Sequence, residues 1–363
     1  MKITSIKVNH VRFPVEEPIV NALPMPTMQR DFLAVRLQTD EGIEGIGVTG
    51  FGGKLLPALK LAVELFGEVI TGEDPMRPEL VASKLRTASG PCGPGGLATL
   101  AMTPIDTALW DIRGKALNQP VSRLLGGLRD KVPAYASGAL PRTTPTDKLA
   151  PAAHALVKKG YTQIKTQMAV PGLTPAQEIE RIRIIRDAVG PNTNLMVDIN
   201  ERWGVAEAIG ILSRIEDLGL GWIEDPTTAT DYKGLAEITA ALDTPICAGE
   251  RLYDVAPFQQ LMSHRSVDIV MIDLLRVGGI TPWMKVAGMA EGFFMPVVSH
   301  LLPEIHVSLI AAVPNATLLE YMPWTWRMFE NPPIPVNGEM TVPTGPGFGL
   351  KFAPDLFTTY GVN

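Results

Sequence analysis

The chain has 363 residues, of which 46% are hydrophobic and 19% charged, as is typical of a globular protein with a large core. No apolar run approaches the roughly 18 residues of a membrane helix, and the net charge of -6 argues against nucleic acid as a partner. Two cysteines, Cys92 and Cys247, are too few for a disulfide scaffold or a thiolate zinc site. The N-terminus alternates polar and apolar residues and lacks the hydrophobic stretch of a signal peptide. We therefore expect a cytoplasmic protein without membrane or nucleic-acid partners.

The first third of the chain predicts an α+β domain. A strand pattern covers residues 3–15, and two further strands, separated by the turn residues Asp40 to Gly42, predict a hairpin that ends at Val48. Pro104 lies near the expected first turn of the last helix of this region, a position where proline is tolerated. Helical patterns are found at 55–69, 78–87 and 103–116.

From about Val132, short β-branched runs alternate with helical stretches, which indicates repeated βα units and a parallel sheet. Eight such strands favour an α/β fold with a (β/α)8-type (modified TIM) barrel. We expect domain boundaries at 1–130, 131–325 and 326–363, with the Pro/Gly-rich last segment returning to the first domain. The barrel strands are expected at 132–137, 162–167, 195–200, 222–225, 245–250, 269–273, 295–300 and 318–321.

Ionisable residues lie at the ends of seven of these strands, separated by 20 to 33 residues, about one βα unit each. The C-terminal ends of barrel strands face the mouth, where barrel active sites are built. The residues in question are Lys165, Asp198, Glu224, Glu250, Asp273, His300 and Glu320.

Three of them, Asp198, Glu224 and Glu250, come from consecutive strands. A single acid at a strand end often caps the next helix, but three converging carboxylates repel one another unless a cation lies between them. Ligation by oxygen alone, with room for water and substrate, suits Mg2+ better than zinc. The spacing therefore predicts a Mg2+ site.

On the opposite side of the mouth, Asp273 and His300 end neighbouring strands. A lone histidine is more often a hydrogen-bonded core residue, but a carboxylate beside an imidazole orients it and raises its basicity, which favours a general base. Lys165 and Gln167 are two residues apart and so face the mouth together. Glu320 completes the ring and is a candidate donor of a proton or hydrogen bond to a substrate oxygen.

These motifs together resemble the enolase superfamily, mandelate racemase subgroup, over essentially the whole chain. The stretches that carry the resemblance are 106–111, 165–167, 197–200, 222–226, 249–250, 273, 299–300 and 319–320. The resemblance implies an N-terminal capping domain that the C-terminal segment completes, and a homo-oligomer.

For the site, the resemblance implies one Mg2+ on Asp198, Glu224 and Glu250 that chelates the carboxylate of a small substrate. A base then removes the proton alpha to that carboxylate, and the metal and a protonated Glu320 stabilise the enediolate. In the subgroup, Lys165 corresponds to a lysine that contacts the substrate carboxylate.

One position departs from the subgroup pattern, which usually has a second lysine, the base for one face of the substrate, where this chain has Gln167. Glutamine cannot take the proton, so only the His300–Asp273 face is plainly equipped. A single strong base favours dehydration of a sugar acid to a 2-keto-3-deoxy acid. Racemisation or epimerisation of a 2-hydroxy acid, cycloisomerisation and a non-enzymatic homologue remain alternatives.

The substrate stays open between polyol and apolar acids. The predicted cap loop at about 18–31 has both polar and apolar residues. The polar reach of Arg30, Gln167, Asn200 and Arg202 favours a sugar acid, and we expect Asn21, Arg30, Gln167 and Asn200 to bind the substrate.

Neither a glycine-rich stretch nor a cysteine in a barrel strand indicates a different function. The Gly45–Gly50 stretch matches GxGxxG, but it follows a hairpin and does not open a βαβ unit, which argues against a dinucleotide site. Cys247 is out of phase with Glu250, so we expect it to face the helix layer and to be inert.

Overall fold

A computed structural model describes residues 1–16, 18–20 and 29–362. The part before the barrel, which we call the cap, begins with a three-stranded antiparallel sheet in the order β1-β2-β3. Four helices follow, and the predicted hairpin and helices are all found. The cap elements are β1 (Ile3–Pro14), β2 (Gln29–Thr39), β3 (Glu44–Thr49), α1 (Leu56–Ile70), α2 (Pro78–Ser89), α3 (Gly96–Ala116) and α4 (Val121–Leu124).

Helix α3 begins at Gly96, earlier than the expected position 103, so that Pro104 lies inside it. Proline has no backbone N–H and leaves the carbonyl four residues earlier, at Leu100, without its helical donor. The Thr49 hydroxyl of β3 donates to this carbonyl at 2.7 Å. The helix continues through Pro104 because a neighbouring strand replaces the missing hydrogen bond.

The same contact explains the GxGxxG stretch. A Cβ atom at Gly47 would lie 2.0 Å from the carbonyl oxygen of Pro104, and one at Gly45 would lie 2.2 Å from that of Ala108. The glycines let β3 approach the backbone of α3, which is a packing role and not a nucleotide-binding one.

Eight parallel strands close into a barrel because β11 pairs with β4. All eight begin and end within two residues of the expected positions. The strands are β4 (Lys131–Ala136), β5 (Gln163–Gln167), β6 (Asn194–Asp198), β7 (Ile223–Glu224), β8 (Ile246–Ala248), β9 (Ile269–Asp273), β10 (Val297–His300) and β11 (Ala316–Tyr321).

Helices follow the first seven barrel strands, and they carry buried apolar faces. After β11, residues 322–362 contain one α-helix, α13 (Leu356–Thr359), which packs against β1 of the cap. The barrel helices are α5 (Thr146–Lys158), α6 (Pro175–Val189), α7 (Val205–Leu212), α8 (Tyr232–Ala241), α9 (Ala256–Ser263), α10 (Leu274–Val277), α11 (Ile280–Gly292) and α12 (Pro303–Ile310). Within the described ranges, no helix is long and apolar enough to span a membrane.

The expectation that Cys247 faces the helix layer is wrong. Cys247 is fully buried in a cluster of side chains from five barrel strands and from the residue just before β7, and this cluster fills the interior. Glu250 nevertheless reaches the mouth, because Gly249 has a φ of +128° and interrupts the alternation of the strand. The other members of the cluster are Tyr135, Met196, Trp222, Met271 and Val298.

The C-terminal segment contacts both parts of the molecule. Strand β12 (Glu339–Thr341) pairs antiparallel with β4 at the start of the barrel. Farther on, the Val121 N–H donates to the Gly347 carbonyl and the Val362 N–H to the His10 carbonyl, at 2.8 and 2.9 Å. The return to the cap agrees with the expectation, whereas the pairing with the barrel was not foreseen.

Candidate active site

The register of the barrel strands brings the predicted residues together. Gln167 pairs with Asp198, Asp198 with Glu224, and Asp273 with His300 across neighbouring strands. All three candidate metal ligands are almost fully buried, with 3%, 0% and 3% of their surface exposed at Asp198, Glu224 and Glu250. The strand ends therefore form one enclosed polar site.

A fourth carboxylate, Asp225, belongs to this group although the sequence analysis gave it no role. It is 0% exposed, and neither of its oxygens has a hydrogen-bond partner in the described part of the chain. Burial, together with the negative charges of Glu250 and Asp198, raises its pKa well above the ordinary value. Burial likewise raises the pKa of Glu224 to about 8, in spite of the nearby Lys165. Several buried carboxylates so close together repel one another, so their ionised forms need a positive charge between them.

This donor set fits a hard divalent cation, because every available ligand atom is an oxygen and one buried carboxylate has no donor. In the described ranges, no three acidic, histidine or cysteine side chains are arranged closely enough to hold a metal ion together. Glu224 instead contacts Lys165, with Oε1 2.5 Å from Nζ, and Glu250 contacts His300, with Oε2 2.9 Å from Nε2. Binding of an ion would require these two carboxylates to change partners.

His300 lies between two acids. Its Nδ1 is 2.6 Å from Oδ2 of Asp273, while its Nε2 faces Glu250. Burial alone would lower the pKa of His300, but Glu250 and the hydrogen bond to Asp273 raise it well above the ordinary value. Asp273 in turn accepts the Arg276 N–H at 2.7 Å, so the acid that orients the imidazole is itself fixed.

Lys165 bridges Glu224 and Glu320, and its Nζ lies 2.9 Å from Oε1 of Glu320. Burial would raise the pKa of Glu320, but the charges of Lys165 and His300 and the Leu301 N–H outweigh it and lower that pKa. These contacts favour an ionised Glu320, unlike the protonated donor that the sequence resemblance implied. The position of Glu320 at the mouth agrees with the expectation.

Gln167 and Asn200 form one network on the metal side. The Gln167 amide donates to Oδ1 of Asn200 at 3.1 Å, and the Asn200 amide donates to Asp198 at 2.6 Å. Arg142, which the sequence analysis missed, donates to the Asn200 side chain, and its backbone N–H donates to Gln167. Arg142 lies in the loop after β4, where no strand pattern marks it.

Several non-glycine residues directly after barrel strands have positive φ angles. Such backbone costs roughly 1–3 kcal/mol per residue and concentrates at functional sites. These residues are Asn200, Glu201, Asp225, Leu301 and Leu302, with φ between 43° and 61°.

Arg30 lies on the cap side of a pocket at the barrel mouth, which we call the mouth pocket. Its guanidinium carbon stacks 3.7 Å above the ring centre of Trp324. Asn21, the other cap residue expected to bind substrate, lies outside the described residues. The mouth pocket is lined by, among others, Glu16, Arg30, Leu140, Lys165, Gln167 and Trp324.

Comparison with known families agrees with this arrangement. Residues 3–126 match the N-terminal domain of mandelate racemase / muconate lactonizing enzyme, and residues 148–356 match the enolase C-terminal domain-like family. The chain belongs to the enolase superfamily, in its mandelate racemase group.

Individual relatives cover nearly the whole chain. The L-talarate/galactarate dehydratase of Salmonella typhimurium is 31% identical over 97% of this chain and 89% of its own length. The D-galactarolactone cycloisomerase of Agrobacterium fabrum is 28% identical over 99% of each chain. A crystal structure of L-talarate dehydratase from Polaromonas sp. JS666, complexed with Mg and L-glucarate, has a TM-score of 0.92 at 31% identity and covers 100% of this chain and 98% of that one. The capped, modified TIM barrel predicted from the sequence is confirmed.

Proposed function

We propose that this protein is a Mg2+-dependent dehydratase that converts a sugar acid to a 2-keto-3-deoxy acid. The observation that carries the proposal is the asymmetry of the mouth. One side has the buried His300–Asp273 pair, with 2.6 Å between Nδ1 and Oδ2, and the other has Gln167, which cannot act as a base. One base removes a proton from one face of the substrate, which suits elimination better than racemisation.

Asp198, Glu224 and Glu250 would hold one Mg2+. When bound, the ion supplies a Lewis acid that polarises the substrate carboxylate and lowers the cost of removing the α-proton. The neighbouring Asp225 adds negative charge that strengthens the attraction for a cation. The parallel register of β6 and β7 places Asp198 beside Glu224, so these two ligands start as neighbours.

The chain's own groups perform the proton transfers. Nε2 of His300, freed from Glu250, takes the proton from C2, while Asp273 holds Nδ1 and stabilises the resulting imidazolium. The C3–O bond then breaks as electrons return from the enediolate, and the imidazolium gives its proton to the departing hydroxyl, which leaves as water. The enol that remains tautomerises to the 2-keto acid. Lys165, which lines the mouth pocket, would contact the substrate carboxylate.

The relatives support a sugar acid as the substrate, because talarate, galactarate and galactarolactone are all of this class. The cycloisomerase among them makes cycloisomerisation the second candidate, since it also begins with loss of an α-proton. Self-association stays a prediction, and racemisation or epimerisation stays an alternative to dehydration.

The test is incubation of the purified protein and Mg2+ with a panel of sugar acids in deuterated water. We expect formation of a 2-keto acid that EDTA abolishes and added Mg2+ restores. Exchange of the α-proton with inversion and without a keto acid would instead identify a racemase or epimerase. No exchange or product with any sugar acid would refute the proposed activity.

A further inference from the structure

Trp222 lies directly before β7, and its side chain points into the barrel. It is buried and belongs to the interior cluster that also contains Cys247. Its ring meets that of Tyr135 edge-on, with 5.3 Å between the ring centres and 87° between the planes. Because close packing of this kind leaves a large ring little room to turn, the direction of the Trp222 N–H group is fixed by the barrel itself.

The Trp222 N–H group donates to a candidate metal ligand. Nε1 lies 3.1 Å from Oε2 of Glu224, two residues farther along the chain, so both side chains lie on the inner face of the barrel. The other oxygen of Glu224, Oε1, lies 2.5 Å from Nζ of Lys165. The two oxygens of this buried carboxylate are therefore held by different groups, a charged side chain on one and a neutral one on the other.

These two partners differ in what they can do when a cation binds. Lys165 also contacts Glu320, with 2.9 Å between Nζ and Oε1, and Oε1 of Glu224 would have to leave Lys165 to become a ligand. The indole N–H is uncharged, so it does not repel a cation, and it can stay on Oε2 throughout. A hydrogen bond of this kind keeps a ligand in one orientation and lowers the cost of ordering it when the metal binds.

We propose that Trp222 is a positioning residue for the metal site, and that its indole N–H holds Glu224 in the orientation in which the carboxylate binds a divalent cation. The proposal rests on the Mg2+ site of the proposed function and extends it to a residue of the barrel interior that is not itself a ligand. Phenylalanine would fill most of the same space but has no donor, so the two residues differ mainly in this hydrogen bond.

The test is calorimetry of Mg2+ binding to Trp222→Phe in the absence of substrate. We expect the Kd for Mg2+ to rise by about 10-fold, at the lower end of the roughly 10- to 100-fold range observed when a residue that supports a metal ligand is lost. Trp222→Met, whose flexible side chain fills irregular space and also lacks a donor, should weaken Mg2+ binding to a similar extent. An unchanged Kd in either variant would overturn the proposal.

Trp283→Phe is the matched control. Trp283, in α11, is also fully buried, but its N–H has no hydrogen-bond partner among the described residues. The substitution removes the same atoms from the same kind of environment, so it should leave the Kd for Mg2+ unchanged. An equal rise in Kd in Trp283→Phe would show that any loss of buried ring volume weakens the site, and would overturn the role of the Trp222 N–H.

Denaturant unfolding with and without Mg2+ separates positioning from packing. The smaller ring of Trp222→Phe should lower the free energy of unfolding in EDTA, and a loss of packing alone would be the same in Mg2+. At a Mg2+ concentration well above both Kd values, we expect a further loss of about 1.4 kcal/mol, which corresponds to a 10-fold change in Kd. An equal loss under both conditions would overturn the proposal.

These measurements separate the role of Trp222 from the proposed reaction, since none of them needs turnover. If Asp198→Asn weakens Mg2+ binding and Trp222→Phe does not, the metal site stands and the role of Trp222 is wrong. If Trp222→Phe weakens Mg2+ binding but wild-type protein turns over no sugar acid, the proposed reaction fails and the role of Trp222 stands. If wild-type protein binds no Mg2+, the metal site and the role of Trp222 are both refuted.

Discussion

Two buried aspartates show how differently this protein treats negative charge. Asp111, in α3, accepts the backbone N–H groups of Ile46 and Phe348 at 3.0 and 3.1 Å and the Lys115 ammonium at 2.7 Å. Asp225, at the barrel mouth, has no hydrogen-bond donor in the described residues. Both side chains are 0% exposed.

The surroundings of the two carboxyls explain the difference. Burial raises the pKa of both, but Lys115 and the backbone donors oppose the rise at Asp111, whereas Glu250 and Asp198 add to it at Asp225. Asp111 joins the cap sheet to the C-terminal segment and is satisfied by the fold alone. Asp225 has no such donors among the described residues, and its nearest cation, Nε of Arg251, lies 3.5 Å from Oδ2, which indicates that this carboxyl serves a ligand.

The largest effect is expected for the metal site. Asp198→Asn should weaken Mg2+ binding, measured by calorimetry, by at least about 100-fold, because an amide is a poorer ligand for a hard cation. Turnover should fall to background at ordinary Mg2+ concentrations. The metal-free variant should remain folded, as judged by circular dichroism, and unchanged Mg2+ affinity would show that the ion binds elsewhere.

Asp111→Asn tests whether Asp111, unlike Asp225, stabilises the fold. It removes the partner of Lys115 and turns one acceptor into a donor beside a backbone N–H, so we expect a loss of about 3 kcal/mol in the free energy of unfolding. Denaturant unfolding measures this, and the loss should not depend on Mg2+. A change below about 0.5 kcal/mol would contradict the role assigned to Asp111.

Glu304 is an intermediate case, a buried acid that accepts the Thr325 hydroxyl at 2.8 Å. Burial raises its pKa to about 7 from the ordinary 4.5, so the folded state binds its proton more tightly than the unfolded state. Its contribution to stability is therefore present below pH 4.5 and is lost as the pH rises towards 7, by up to about 3 kcal/mol.

Glu304→Gln removes this dependence. The stability of the variant relative to wild-type protein should increase from pH 4.5 to pH 7 and then level off. Denaturant unfolding at a series of pH values gives the difference, and a difference that is constant across this range would rule out the raised pKa.

The smallest effect is expected at Asp225. Asp225→Asn removes one of the repelling charges, so the metal-free protein should gain about 1 kcal/mol, opposite in sign to Asp111→Asn. Added Mg2+ should reduce this gain because the ion compensates the charge in wild-type protein. A loss of stability in the metal-free state would show that the attraction of Arg251, whose Nε lies 3.5 Å from Oδ2 of Asp225, outweighs the repulsion by the neighbouring acids.

The barrel could be predicted well from the sequence because the patterns that mark its strands are local in the chain. Each strand is a short, largely apolar run, seven of the eight have an ionisable residue near their ends, and the pairing of Asp198 with Glu224 follows from parallel register alone. The features that were missed depend on contacts distant in sequence. Pro104 is tolerated inside α3 because Thr49, 55 positions earlier in the chain, replaces its hydrogen bond to Leu100.

In the active site, too, the residues marked by local sequence patterns were predicted, and the features that depend on distant contacts were missed. Strand-end spacing predicted the acids and His300, but the position of Arg142 and the lack of a hydrogen-bond donor to Asp225 among the described residues depend on loop geometry that no periodicity encodes. The phase of Cys247 was misjudged because Gly249, with its positive φ, interrupts the alternation before Glu250. The ionised state favoured for Glu320 depends on Lys165 and His300, which come from two other strands.

The most direct test of the account is proton NMR, in deuterated water with Mg2+, of a sugar acid that the wild-type protein turns over, comparing wild-type protein with His300→Asn. We predict that the wild type forms a 2-keto-3-deoxy acid, while His300→Asn binds Mg2+ normally but neither exchanges the α-proton nor forms product above background. Full turnover by His300→Asn would contradict the assignment of His300 as the base, and with it the proposed mechanism.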